Sequence, residues 1–427
     1  MKHYTTTAAI LLTAALTVSC NSSKKLQNPN NPSTDNTVVV TPSNSTDMDE
    51  TYLTLSDAQR DIVNRNNVFA LQLFNQVSDH SSKVVSPLSV AYLMGMLANG
   101  ADGVSQQEIL KAIGCEGIDI NDLNSLYQNI LQTADRLDQQ TTVSIANYIA
   151  VNKAYRLRPQ FVSTVTDHYM AGVESLDFSN PATVKHINNW CSKHTDGMIP
   201  SIIDQTDPAA VSYLMNAIYF NGTWEKKFDE RKTSEEIFRG YTRDIQKVEM
   251  MHQRNKFLYA EMPLYKAVVL PYGYGVYHMT VLLPNEGKSI NEMMASIDAS
   301  ALSTLTSKMD ICNVNLQLPK FTTETNIPLN GIVSTLGAPS IFNPAEADFS
   351  KFADGQFYVS QMLQKAKIEV SEKGTKAAAV TAAVMLTSLG PTDYRDVNFI
   401  ADHPFVYTIS DSQSGTLLFV GQFTGNK

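Results

Sequence analysis
The sequence predicts an α+β fold organised around large, mostly antiparallel β-sheets. Short runs of β-branched and aromatic residues recur along the chain, and few helical stretches stand between them as regular crossovers. Turn clusters such as Pro284-Asn285-Glu286-Gly287 follow apolar runs, as expected where neighbouring strands are joined directly. With a leader and a polar tether set aside, residues 54–427 form the body. That is long against the usual domain of about 100–200 residues, yet it holds no second Pro/Gly/Ser-rich linker and no fixed-period repeat, so one large domain is expected.

The chain opens on Met1-Lys2-His3, a short basic lead, followed by an apolar run from Ala8 to Val18 that ends at Ser19-Cys20. The run is too short for a permanent bilayer span and reads as a cleaved secretory signal, residues 1–20. Leu16-Thr17-Val18-Ser19-Cys20 resembles a bacterial lipoprotein processing site, with Thr17 where an aliphatic residue is usual. Export is expected either way, as an outer-membrane or cell-surface lipoprotein lipidated at Cys20 or as a secreted or periplasmic protein. Two or more acyl chains would anchor it stably and one only marginally. Asn21 to Glu50 is dominated by Asn, Ser, Thr, Pro and Asp and buries too little to offset its ordering entropy, so residues 21–53 are expected to be a disordered linker.

The body begins with helices. Ser56-Asp57-Ala58-Gln59 reads as a capping box, and Ile62, Phe69, Leu73 and Val77 follow on one helical stripe. Ser86-Pro87 pairs an N-cap with proline at the first helical position. Ala91, Leu93, Met94, Met96 and Leu97 then give apolar surface nearly all round, so this helix belongs in the interior and ends at Asn99-Gly100. Ser105-Gln106-Gln107-Glu108 is expected to cap a third helix running to Ile113, and Gln160 to Met170 a fourth. Val143 to Ile149 alternates as a strand, while Val211 to Phe220 is longer and more continuously apolar, which suits a central strand buried on both faces. Val268 to Leu270, Val276 to Leu283, Val314 to Leu318, Lys367 to Val370, Phe405 to Ile409 and Leu417 to Gln422 read as further strands.

Glu372 to Pro391 differs in kind. After Lys376 it carries no charge until Asp393, and it has no proline before Pro391. Alanine favours helix while valine and threonine favour strand, and the run is too uncharged for a comfortable solvated loop. Read with a period of two, Thr375, Ala377, Ala379, Thr381 and Ala383 share one face and are all small. Lys376, Ala378, Val380, Ala382 and Val384 share the other. A spare strand that slides between strands already in place needs this pattern; an Ala-rich surface helix or a simple edge strand is the plainer alternative.

Composition and motifs exclude several functions. A net charge of -9 and a pI near 5.4 leave no basic footprint for nucleic acid. Cys115, Cys191 and Cys312 are widely spaced with no C-x-x-C, so they are expected as small buried thiols outside any disulfide or zinc site. G-x-S-x-G and H-E-x-x-H are absent, and Gly273-x-Gly275 is followed by His278 where a dinucleotide motif needs glycine. His186 and His403 stand alone, so no catalytic activity, cofactor or metal is expected. Asn221-Gly222-Thr223 is expected to mark a turn, not a glycan.

Val370-Ser371-Glu372-Lys373-Gly374-Thr375-Lys376-Ala377-Ala378-Ala379 resembles the reactive-loop hinge of serpins, and Asp402-His403-Pro404-Phe405 resembles that family's signature at the matching distance downstream. Val85 to Val90 resembles the buried-helix motif, and Asn216 to Trp224 the central strand with the tryptophan beneath the point where the loop inserts. Leu318-Pro319-Lys320-Phe321, Phe342 to Ser350 and Leu418 to Gly421 follow in the family's order. On these motifs the chain is identified as a member of the serpin family from about residue 54 onward. The resemblance implies a serpin fold, with a large central sheet, smaller sheets, surrounding helices and an exposed reactive loop over 372–391, in a monomer.

It also implies inhibition of serine or cysteine endopeptidases by a suicide-substrate trap, in which the cut loop inserts into the central sheet from a hinge comprising Glu372, Gly374, Thr375, Ala377, Ala379 and Thr381. Counting along the hinge puts the reactive bond at Ser388-Leu389, with Met385, Leu386 and Thr387 as alternatives. Small residues there suit elastase-like or subtilisin-like enzymes, with papain-like ones a further class. No Arg or Lys lies near the bond, so trypsin-like targets are not expected. Ser86, Ser89 and Asn216 are implied to hold the sheet-opening region in a polar network, with Gln364 where serpins commonly carry a histidine; Trp224 marks the breach. The alternative is a non-inhibitory serpin-fold binding protein at the cell surface. The small face of the hinge lacks the bulky, charged or proline residues that such members tend to carry.

Overall fold
The computed structural model describes residues 53–375 and 393–426. The predicted leader, Cys20 and the tether up to Tyr52 lie outside the described residues. So do Ala377, Ala379, Thr381, Met385, Leu386, Thr387, Ser388 and Leu389.

The helices are α1 Asp57–Val77, α2 Pro87–Gly100, α3 Gly103–Ala112, α4 Ile120–Leu137, α5 Pro159–Tyr169, α6 Ala182–His194, α7 Ile290–Ala295, α8 Ala299–Ser307 and α9 Asn330–Thr335. The strands of the first half are β1 Lys83–Val85, β2 Thr141–Asn152, β3 Gly172–Leu176, β4 Ser212–Thr223, β5 Ser234–Arg239, β6 Ile245–Glu261, β7 Tyr265–Pro271 and β8 Tyr277–Pro284. Those that follow are β9 Asp310–Pro319, β10 Phe321–Pro328, β11 Gln361–Ser371, β12 Gly374–Thr375, β13 Asp396–Ile400, β14 Phe405–Asp411 and β15 Leu417–Phe423.

They form two sheets, as the α+β reading requires. One runs β1-β15-β14-β8-β7-β6-β9-β13 with β5 added on β6. The other runs β10-β11-β12-β4-β2-β3, and β11 also pairs β4 directly. Most neighbours are antiparallel, but β11 with β4, β2 with β3 and β13 with β9 are parallel, so both sheets are mixed.

Local sequence explains where the layers meet. Ser56 and Gln59 close the predicted capping box on α1. On α2 every residue except Asn99 is buried, as its all-round apolar surface demands. It packs behind β4, of which only Asn221 is not buried. On the opposite face of that sheet α6 lays Ile187 and Cys191 over Ala146, Tyr148, Met215 and Ala217, forming a second, smaller core. Cys115, Cys191 and Cys312 are buried and free; burial pushes the first two thiols up to about 11 and 12, so they stay protonated at neutral pH.

Three local expectations fail for physical reasons. Asp102, not Ser105, caps α3, because Ser105 is drawn into tertiary bonds with the Ser340 hydroxyl and the Asp348 amide. Pro284-Asn285-Glu286-Gly287 leads into α7, where Ser289 and Glu292 form a capping box, so it joins a strand to a helix. Asn221-Gly222-Thr223 continues β4 instead of turning, with Asn221 opposite Thr142 and Gly222 opposite Thr141.

Candidate functional site: a fork in the six-stranded sheet
The parallel pair β11 and β4 is zipped from Gln361 opposite Tyr213 to Lys367 opposite Tyr219. Beyond that point the two strands part, and β12 occupies the gap. Thr375 pairs with Val370 and Gly374 with Ser371 on one side; on the other, Thr375 pairs with Gly222 and Gly374 with Thr223. The chain reverses over Ser371 to Gly374, and Gly374 sits at φ +139, a conformation that favours glycine. A Cβ there would overlap the Gly222 carbonyl oxygen, so the close approach of β12 to β4 requires glycine as well.

The predicted breach residue holds this reversal in place. The Trp224 backbone amide donates to the Lys373 carbonyl at 3.0 Å, and its indole Nε1 donates to the Ser371 carbonyl at 2.9 Å. Its ring stacks on Tyr272 at 4.3 Å between centroids. Tyr272 in turn shares a 2.7 Å hydrogen bond with the fully buried Thr375 hydroxyl. Burial pushes the Tyr272 hydroxyl well up, so it stays protonated. The first small residue of the hinge therefore already faces the core.

Glu372 anchors the turn from outside. Its carboxylate accepts from the Thr233 hydroxyl at 2.8 Å and lies 3.5 Å from the Lys320 ammonium, while its carbonyl accepts from the Phe228 amide at 3.0 Å. Burial pushes this carboxyl up, but hydrogen bonds from its own backbone and from Thr233, together with Lys320, outweigh that and hold it below the usual glutamate value.

Lower in the sheet the predicted sheet-opening residues fall into two separate groups. Gln364 spends both ends of its amide on the Ser86 backbone, Oε1 accepting from the Ser86 amide at 2.9 Å and Nε2 donating to its carbonyl at 2.8 Å. The Ser86 and Ser89 hydroxyls bond each other at 3.0 Å. Asn216 stands beside Gln364 in the strand register but bonds Asn147, donating from Nδ2 at 2.9 Å, and its buried Oδ1 has no hydrogen-bond partner among the described residues. Asn147, which the sequence reading missed, donates to the Tyr169 carbonyl at 3.1 Å. Its place in the alternation of β2 directly opposite Asn216 was the available signal. His403 and His186 are structural: the first bridges Asp402 and the Pro284 carbonyl, and the second pairs with Glu174.

The fork carries a register. Through β12, Val370 faces Gly222, an offset of 148 in the sequence (370 against 222); in the zipped pair Gln361 faces Tyr213 with the same offset of 148 (361 against 213). The strands above and below the fork are thus already aligned for one antiparallel strand between them, and no slide of β11 along β4 is needed.

Comparison with known proteins agrees with this geometry. Residues 64–425 match the family model of serpins, serine protease inhibitors. Leukocyte elastase inhibitor A of Rattus norvegicus is 30% identical over 374 residues, covering 84% of this chain and 97% of the relative. Plasminogen activator inhibitor 1 of Bos taurus is 32% identical over 367 residues, covering 83% and 90%. The crystal structure of the thermophilic serpin Tengpin in its native state superposes with a TM-score of 0.78 at 31% identity, covering 87% of this chain and 95% of that one. With the forked sheet, the tryptophan at its root and the family match over nearly all of the described residues, the chain belongs to the serpin family.

Proposed function
We propose that this serpin inhibits serine or cysteine endopeptidases of elastase-like, subtilisin-like or papain-like specificity by a suicide-substrate trap. The observation that carries the reading is β12, two residues of an antiparallel strand seated at the fork in the register that its continuation needs. The protease nucleophile attacks the Ser388 carbonyl carbon, the Leu389 amine leaves with a proton, and an ester or thioester joins Ser388 to the protease. The freed strand then extends β12 downward. In that register residue 384 lies opposite both Gln361 and Tyr213, so residues 376–384 are taken in. No bulky side chain is brought to the core in the process, since Ala377, Ala379, Thr381 and Ala383 share the face of the buried Thr375.

One parallel interface becomes two antiparallel ones. About ten new main-chain hydrogen bonds at about 0.5–1.5 kcal/mol each contribute roughly 5–15 kcal/mol, comparable with the whole stability of an ordinary domain. The intact fold is then metastable and held by kinetics. Deacylation at about 1–1000 per second sets the time within which insertion must win. The relatives named for elastase inhibition support a small-residue target, in keeping with Thr387 and Ser388. The chain itself performs no catalysis in this reading and works as an exported monomer, tethered through lipidated Cys20. Incubation with elastase-type and subtilisin-type enzymes is expected to give a covalent complex that survives boiling in detergent. Clean cleavage with full protease activity retained would instead make the chain a non-inhibitory surface binding protein.

A further inference from the structure
A cleft of about 450 Å³ opens at the end of the nine-stranded sheet where β1 begins and β15 stops, and none of its lining residues belongs to the fork. Three segments far apart in the chain build it: the turn between α1 and β1 at 79–81, the β5–β6 hairpin at 241–246, and Thr424 just past β15. Small-molecule sites run from about 300 to 1,000 Å³.

Its walls are fixed from behind. The buried Gln422 donates from Nε2 to the Asp79 carbonyl at 2.6 Å and to the Ser81 carbonyl at 2.7 Å, which clamps the first turn. Within that turn Asp79 accepts from the Ser81 amide at 2.8 Å and hydroxyl at 2.6 Å, and the Lys83 ammonium lies 3.2 Å from its other oxygen. Burial pushes the Asp79 carboxyl up, but Ser81 and Lys83 outweigh that and hold it below the usual range, so it is an acceptor at neutral pH. On the hairpin Asp244 accepts from the Thr242 hydroxyl and from Gln246 Nε2, both at 2.7 Å, while Gln246 Oε1 accepts from the Asn426 amide at 2.8 Å. Glycine at 240 and 425 makes room for this pair, since a Cβ at either position would overlap it.

The aromatic part is held too, yet leaves its polar atoms unspent. Tyr241 accepts from Asn291 Nδ2 at 2.8 Å, so its hydroxyl hydrogen is still available to donate. The His80 ring stacks on Tyr241, with centroids 4.3 Å apart and 21° between planes, and its nitrogens have no hydrogen-bond partner among the described residues. No Lys or Arg lines the cleft, so an anion would meet two carboxylates uncompensated. A cation gains little, because Lys83 already lies on Asp79 and Asp244 is already bonded twice. A neutral ring bearing hydroxyls fits both limits. Each hydroxyl can donate to a carboxylate while accepting from the phenol or imidazole, and the C–H face of the ring can lie on an aromatic face, where the quadrupole is negative.

We propose that the cleft walled by Asp79, His80, Tyr241 and Asp244 is a binding site for a neutral saccharide. Fixed walls of this kind lower the ordering cost of binding. The proposal goes beyond the inhibitory reading and does not depend on it.

The test titrates the full chain with glucose, galactose, mannose, N-acetylglucosamine and maltose by saturation-transfer NMR, with glucuronate and putrescine as charged counterparts. At least one neutral sugar is expected to bind with a Kd of about 1 mM or tighter. Y241A, which removes the platform, should weaken that binding about tenfold, and D244N, which turns an acceptor into a donor, should weaken it by less. If Y241A melts lower than the parent, H80A makes the same comparison while keeping the Tyr241–Asn291 bond. No binding by any of the five sugars, or binding that Y241A, H80A and D244N all leave unchanged, would overturn the proposal. So would glucuronate or putrescine binding tighter than every neutral sugar. A chain that fails to trap a protease is still expected to bind the sugar, so the two readings fail separately.

Discussion
The two sheets of this molecule are held in different ways. In the nine-stranded sheet β14 and β15 lie antiparallel next to the β1 edge with every residue buried, and Phe220, Phe238, Phe321, Phe405, Tyr407, Phe419 and Phe423 pack on and around them. That arrangement is complete. The six-stranded sheet has at its centre a parallel pair, the weaker pairing type, zipped for seven residue pairs and then forked around β12. Beneath the fork the buried Asn216 Oδ1 lacks a partner among the described residues. On the proposed trap, a sheet with a parallel seam and a wedge gains by receiving another strand, and the other sheet is the frame against which that gain would be made.

The contrast can be broken by truncating one anchor in each sheet. Phe419→Ala in the nine-stranded sheet and Trp224→Ala at the fork should each cost about 3–5 kcal/mol in the intact protein. Phe419→Ala should lower the melting temperatures of intact and loop-cleaved protein alike, because Phe419 belongs to the sheet that the proposed insertion would not enter. Trp224→Ala should also raise the share of protease that escapes by hydrolysis, since the Trp224 indole holds the turn from which the proposed insertion would start. Equal effects on escape would remove the distinction between the sheets.

Gln364→Leu comes next in size. It strips the Ser86 amide of its partner and leaves the Ser86 carbonyl with the Val90 amide alone, and a buried polar group left unsatisfied costs about 1–3 kcal/mol. The intact form should melt lower by denaturant titration, while Gln364→His, able to serve one of the two groups, should lose less. Gly374→Val should cost about 1–3 kcal/mol in strain at a positive φ, and by unseating β12 it should turn the chain from inhibitor toward substrate, read as more inhibitor consumed per protease trapped.

The smallest effect is pH dependence at Glu372. Its folded pKa lies below the ordinary 4.5, so its contribution is fully present above that value and is lost as pH falls through the lowered folded one. In a Trp190→Phe background, leaving Trp224 as the single indole, fluorescence should report loosening of the turn on acidification below pH 4.5. Glu372→Gln should flatten that response.

Much of this arrangement was legible from sequence because it rests on patterns local to one element. The capping box of α1, the largely apolar α2, the long and largely apolar β4 and the small-residue alternation beginning at Thr375 are each set by neighbours along the chain. What escaped was set by partners far away. β6 runs from Ile245 to Glu261 with exposed charges at Glu249, Arg254 and Lys256, and its length follows from pairing with β5, β7 and β9 in succession. Helices α4 and α6 carry polar residues through much of their length, and their single buried stripes were readable only with the N-cap at Asp119 and the sheet beneath α6 in view. At the site, Ser86, Ser89 and Gln364 come together as the sequence suggested, but Asn216 is claimed by Asn147 across β2. A side-chain amide can choose between two neighbours, and only the register decides.

The central claim is that the intact sheet is short of one strand at the fork. Thermal unfolding of intact and loop-cleaved protein under one set of conditions tests it most directly. A gain of roughly 5–15 kcal/mol should raise the melting temperature of the cleaved form by on the order of 10 °C or more. Coincident melting of the two forms would contradict it.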